Sequence, residues 1–299
     1  MKLLTLLFLS LLLAPSVFAD DRATEILKQA REAIGGEQRL QKIEALHING
    51  QYRRVFGERQ MGGDREISIA LPGKYLVEDS MNPGGLSTAL INTRGLNGER
   101  AWSASSGGGG MIFRMAGPGG QQLSAEQMEA SLRRIYQAEF TRYLLAMTLA
   151  PPASLLVEYK YAGESDVEGE QADVIDVTGP DNFSVRLFLA KKNHLPLLLS
   201  YRGPKPRVMT FTRPAGGSAK QEDLTKSAEQ AAEKQVRAEA TATPEEVDFF
   251  IRLSDHKKVD GITLPFKLTF LTESEVSEEF EISKYQVNPQ FKADKFEKH

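Results

Sequence analysis

Between Ile262 and Phe270 an apolar side chain falls on every second position. Ile262, Leu264, Phe266, Leu268 and Phe270 alternate with Thr263, Pro265, Lys267 and Thr269. A period of two fits a strand with one buried face. A polar turn at Glu273–Glu275 leads to a second strand through Phe280 and Ile282. There the phase slips to Tyr285 and Val287, as a β-bulge would make it. Asn288-Pro289 stops that strand and leaves Phe291 and Phe296 to anchor the tail. An apolar sheet face has to be covered by another layer, so the chain must supply both a sheet and something to lie on it.

More strands than helices precede this hairpin. Leu46, Ile48, Tyr52 and Phe56 share one face of a first strand, with His47 opposite, read as a surface histidine. Ile67, Ile69 and Leu71 run to the turn Pro72-Gly73, and Tyr75 and Val77 return from it. The break Asn82-Pro83-Gly84-Gly85 is followed by a run over 86–92. Asn97-Gly98 then gives the strongest hairpin signal, because both residues tolerate positive φ, and it delivers Trp102, the only tryptophan, onto a strand. Further strands are expected at 155–161, 173–178, 183–189, 195–201, 208–211 and 247–253. Pro196 and Pro265 cannot donate to a ladder, which suits an edge or a bulge.

Two amphipathic helices interrupt this meander. The first, Thr24–Ile34, ends at Gly35-Gly36. The second runs from Ser124 to about Ala150, opened by a capping box of Ser124 with Gln127 and closed by Pro151-Pro152. Met128, Leu132, Ile135, Tyr136, Tyr143, Leu144 and Met147 form its apolar stripe, and Glu126, Glu129, Arg133, Arg134 and Arg142 its polar side. It is the one element long enough to cover the sheet. Residues 214–246 are alanine-rich and charged, and are read as an insertion within a single domain of residues 20–299.

Residues 1–19 have the form of a secretory signal: Lys2, the apolar run Leu3–Leu13, and Val17-Phe18-Ala19 before a cleavage point after Ala19. The apolar run is too short for the roughly 20 residues that a membrane span requires, and the mature chain is expected to have no transmembrane segment. The chain has no cysteine, so no disulfides and no lipid-bearing thiol. A formal net charge of −3 gives no reason to expect nucleic acid.

Catalytic motifs are missing. The sequence has no Gly-x-Ser-x-Gly elbow and no His-Glu-x-x-His. The glycine clusters 107–110 and 117–120 lack the Lys-Ser/Thr pair of a phosphate loop. His47, His194, His256 and His299 are far apart, Ser254–Lys257 reads as a solvated turn, and Glu278 and Glu279 point to opposite faces of a strand. The expectation is a non-enzyme with no metal and no cofactor.

The segment from Val259-Asp260-Gly261 through Leu264-Pro265, with Tyr285–Pro289 and the closing Phe296, resembles the ending of the periplasmic outer-membrane lipoprotein carrier (LolA-like) superfamily. Leu71–Tyr75 and Asn97–Trp102 resemble its early strands. The resemblance implies an α+β fold, an incomplete antiparallel β-barrel with helices covering its concave face. It also implies a soluble periplasmic carrier or sensor of lipoprotein acyl chains or other lipids, served by a membrane-bound donor or acceptor protein. The alternative is an envelope module that docks a protein on the same fold. On the lipid reading the stripe from Met128 to Met147 is the lid of an apolar cavity. Trp102 and Phe113 form its walls, and Met111 and Met115 sit on a hinging loop. The lid-gating arginine of the family has four candidates here: Arg31, Arg53, Arg54 and Arg133. The chain is longer than the dedicated carrier, and its charged insertion has no counterpart there.

Overall fold

A computed structural model of the chain describes residues 16–56, 59–81, 89–106, 124–205 and 245–298. Helix α1 (Ser16–Ile34) and the single turn α2 (Glu37–Leu40) come first. Five strands follow: β1 (Ala45–Phe56), β2 (Arg59–Ala70), β3 (Lys74–Met81), β4 (Leu90–Asn97) and β5 (Arg100–Ser106). Helix α3 (Ala125–Thr148) then leads to β6 (Glu158–Val167), β7 (Glu170–Thr178), β8 (Ser184–Ala190), β9 (Pro196–Pro204), β10 (Glu246–Val259), β11 (Ile262–Thr272) and β12 (Glu275–Val287). Among the described residues these strands form one antiparallel sheet in the order β5-β4-β3-β2-β1-β12-β11-β10-β9-β8-β7-β6. Two meanders, β1–β5 and β6–β12, are thus joined where the first strand meets the last.

The sheet does not close, and α3 connects its two edge strands, β5 and β6. The helix must therefore cross the open side. Glu139 of α3 reaches Arg94 on β4, while Arg142, less than one turn on, stacks on Tyr201 of β9. Those strands are seven places apart in the sheet, roughly 33 Å if it were flat, so the sheet curls around the helix. This is the half-barrel expected from the sequence, with α3 on the concave face.

The capping box is present: Ser124 Oγ accepts from the Gln127 N–H at 3.1 Å, and the Gln127 side chain accepts from the Ser124 N–H at 3.0 Å. At the other end Leu149 turns left-handed with φ 55°, and Pro151-Pro152 stops the helix. The phase slip in the last strand is a bulge. Asn49 faces Lys284 and Gly50 faces Ile282, which leaves Ser283 as the extra residue. Pro196 likewise lies beside a register shift, between β8 and β10 and not at an edge.

Local differences have plain causes. The hairpin at Asn97-Gly98 turns on Gly98-Glu99, since Asn97 still pairs with Arg100 and it is Gly98 that takes the positive φ of 61°. Ser254–Lys257, expected as a solvated turn, is part of the long β10. There burial lowers the His256 pKa. His47 is half-buried and not freely exposed. It sits on the outer face as expected, but Phe291 meets its ring edge-on at 6.0 Å, because the tail folds back over that face with Phe296 buried. Residues 206–244, which hold most of the predicted insertion and the predicted strand at 208–211, lie outside the described residues.

Candidate functional site

The concave face is apolar at its centre. Leu46 and Ile48 of β1, Ile67 and Ile69 of β2, and Tyr75 and Val77 of β3 are all fully covered. Against them pack Tyr136, Phe140, Tyr143, Leu144 and Met147 of α3 and Ile26, Leu27 and Ile34 of α1. Tyr75 contacts both Phe140 and Tyr143, with ring centroids 5.7 and 6.0 Å apart. The Tyr285 hydroxyl donates to the Pro265 carbonyl at 2.5 Å and lies 3.4 Å from Met147 Sδ. Arg31 of α1 donates to the Leu149 carbonyl at 2.9 Å, a cation placed where α3 leaves its carbonyls unpaired. The C-terminal half of α3 is thereby fixed to sheet and α1.

Within this apolar surface lies a chain of six charges. Arg65 of β2, only 1% exposed, binds Asp79 of β3 through Nε at 2.6 Å and Nη2 at 3.0 Å. It also binds Glu278 of β12. Arg54 of β1 reaches the same two carboxylates. Arg94 of β4 binds Asp79 at 3.2 Å and Glu139 of α3 at 2.8 Å. Strand register explains the assembly: Arg65 stands opposite Asp79, and Arg54 opposite Glu278. Gly50, opposite Arg65, has no space for a side chain, since a Cβ there would run into the Glu281 carbonyl oxygen and lie 2.9 Å from the Phe280 ring. Arg65 lies 4.6 Å from the Tyr52 ring centroid, a cation–π contact in a dry setting. Three cations meet three carboxylates, and the network carries no net charge.

Burial alone would raise the Asp79 carboxyl. Arg65, Arg94 and Arg54 outweigh it and hold the group below the ordinary aspartate value. Glu139 is likewise held low by Arg94 against its burial. Burial pushes the Tyr143 phenol up. Carboxyls depressed in the folded state take up protons more readily when unfolded. Their stabilisation is complete above the ordinary carboxylate range and is lost as pH falls through the depressed values. Urea midpoints should be level above about pH 5 and fall steadily below it, and Asp79→Asn should flatten that fall.

The predicted cavity residues separate into groups. Tyr136, Tyr143, Leu144 and Met147 are buried between α3 and the sheet, and Met128 and Leu132 are half-buried. Ile135 is 48% exposed. Trp102 is a correction. It pairs with Gly95 and shares a groove with His47, Leu76 and Phe291 on the outer face, whereas its neighbour Ser103 meets Tyr136 of α3. One step along a strand reverses the face, so Trp102 cannot line the concave side. Phe113, Met111 and Met115 lie outside the described residues. Of the four arginine candidates, Arg31 holds the end of α3 and Arg54 joins the buried network. Arg53 pairs with Glu279 and Arg133 with Glu99, both toward solvent.

The sequence reading missed Phe140, Arg65, Asp79, Arg94, Glu139 and Glu278. Four of these carried a signal. Phe140 lies on the row Tyr136-Phe140-Leu144, four residues apart, while Arg65, Asp79 and Glu278 fall in the same phase as the apolar residues of their strands.

A cleft of about 790 Å³ opens beside α3 toward β8–β10. Ala138, Thr141 and Arg142 of the helix and Leu155, Phe183, Val185 and Tyr201 line its inner part, and it runs on to Asp176, Arg186, Ser200 and Phe250, which alternate with the buried residues of their strands and so belong to the outer face. The volume is in the range of small-molecule sites. Among the described residues no cluster of three or more His, Asp or Glu side chains could hold a metal, and no helix is long and apolar enough to cross a membrane.

No family model matches the chain, and no curated protein does. Among solved structures it is similar to a LolA superfamily protein from Nitrosomonas europaea (TM-score 0.47, 12% identity, 92% of this chain and 97% of that one). It is also similar to a domain assigned to outer membrane lipoprotein sorting from Vibrio parahaemolyticus (0.46, 9%, 92% and 97%). A DUF1329 family protein from Desulfovibrio piger is comparable (0.45, 11%, 92% and 97%). The first of these bears the family name that the sequence motifs resemble. At such scores they carry no argument of their own, and the fold rests on the strand register.

Proposed function

We propose that the mature chain, a single domain from residue 20 onward with an insertion at 214–246, is a non-enzymatic periplasmic carrier or sensor. Its ligand is the acyl chain of a lipid or lipoprotein, taken up between α3 and the curled sheet. The observation that carries the reading is the asymmetry of α3. Its C-terminal half is buried and tied to β4, β12 and α1, while Met128, Leu132 and Ile135 in its N-terminal half are incompletely covered, and a cleft opens beside the middle of the helix at Gln137, Ala138 and Thr141. A helix anchored at one end with loosely covered apolar residues at the other suits a lid, and methionine suits a surface that repacks around chains of different length.

Displacement of a fluorescent fatty acid tests it. The protein should bind cis-parinaric acid saturably and release it to palmitate, and Leu132→Ala should weaken binding several-fold. No saturable binding would sink the reading and favour the protein-docking alternative.

A further inference from the structure

We propose that Arg142 receives the anionic head, a carboxylate or phosphate, of an amphiphile whose chain enters the cleft beside α3. The proposal rests on the acyl-binding reading above and names the class of ligand that reading leaves open.

The buried Arg65 and the half-buried Arg94 and Arg54 are all matched to carboxylates. Arg142 differs. It is half-buried, yet it makes no ion pair or hydrogen bond with any described residue, and its Nε is enclosed without a partner. Glu139, three residues earlier on the helix, is already engaged by Arg94. The guanidinium lies 3.6 Å from the centroid of the Tyr201 ring, so stacking fixes its plane while its N–H edge stays unused. Burial alone pulls its pKa down, the cost of a charge without a counterion. A planar guanidinium held by its face presents its edge for two-pronged binding of a carboxylate or phosphate.

The surroundings agree. Arg142 borders the cleft, whose apolar wall of Leu155, Phe183 and Val185 would take an alkyl chain. Asp176 and Asp248 are out of phase with the buried Ile175, Val177 and Val247, so they lie on the outer face, where Arg186 holds Asp176 at 2.6 Å and Arg202 holds Asp248 at 3.4 Å. The cleft's other acids, Asp181 and Glu246, are exposed at the rim. Arg134, two turns earlier on α3, adds a second cation without an acidic partner among the described residues. Arg142 stood among the polar-side residues of the helix in the sequence, and only the curl of β9 over that side turns it into a lining residue.

Calorimetric titration of the full mature chain decides the matter with myristate, monomyristoylglycerol, the phosphate ester of that glyceride, and inorganic phosphate. Wild type should bind the two anionic lipids about tenfold or more tighter than the neutral glyceride, and inorganic phosphate only feebly. In Arg142→Gln the preference should vanish with glyceride binding unchanged, and the thermal midpoint should stay level or rise because an unpaired half-buried charge is gone. Arg142→Lys, which keeps the charge but loses the fork, should fall between. Equal affinity of wild type for neutral and anionic lipids overturns this proposal alone, as does a preference that survives in Arg142→Gln. Inorganic phosphate binding as tightly as the ester overturns the amphiphile assignment. Failure of every lipid to bind overturns the acyl reading and this proposal with it.

Discussion

Arg65→Met should cost roughly 3–5 kcal/mol of unfolding free energy, because it leaves the carboxyl groups of Asp79 and Glu278 in an apolar setting with too few partners. Arg65 is 1% exposed and engages both carboxylates at once. Arg53 on β1 points the other way and pairs with Glu279 from a side chain that is 54% exposed, so Arg53→Ala should cost under about 1 kcal/mol. Equilibrium urea unfolding measures both. Replacing Arg54, Arg65, Asp79 and Glu278 together with Met, Met, Leu and Leu, which leaves Arg94 paired with Glu139, should recover most of the loss, since matched apolar groups replace a buried ionic cluster at little cost. A single Arg65→Met change as mild as Arg53→Ala would show that water reaches the network freely.

The second large effect is at Phe140. Phe140→Ala should cost about 3–5 kcal/mol, since the ring is 2% exposed and packs on Tyr75. Ile135→Ala, five residues earlier on the same helix and 48% exposed, should change stability by no more than about 0.5 kcal/mol. The contrast separates the anchored half of α3 from the half assigned to the lid. Equal losses at the two positions would mean that the helix is packed uniformly along its length, and the lid assignment would fail.

Much of the fold was legible because its signals are local. The alternation from Ile262 to Phe270, the capping box at Ser124 and the phase slip before Tyr285 each depend on a few neighbouring residues, and each appears where it was read. The site was less legible because it depends on pairings between distant strands. Arg65 and Glu278 are 213 residues apart and meet only because β1 joins the two meanders. Trp102 was misplaced for a related reason. A tryptophan beside Ala101 suggests a core, but strand phase decides the face, and the shielding of its outer face comes from the distant tail around Phe291. Ile135 shows the limit of a helical stripe: spacing places it beside Tyr136 and Leu132, while the curl of the sheet reaches only part of that stripe.

The buried network and the cleft fit one account. The carboxylates that tie α3 to β3, β4 and β12 hold the concave face together around Arg65 and Arg94, whereas Arg142 on the same helix is left without an acid where the cleft opens.

Native mass spectrometry of the protein, purified without detergent from the envelope fraction of the cells that export it, tests the central claim most directly. The account predicts discrete adducts at lipid or acyl-chain masses, released by mild collisional activation and depleted in Leu132→Ala. A spectrum showing only the bare polypeptide, with no adduct regained on incubation with total envelope lipid, would contradict it.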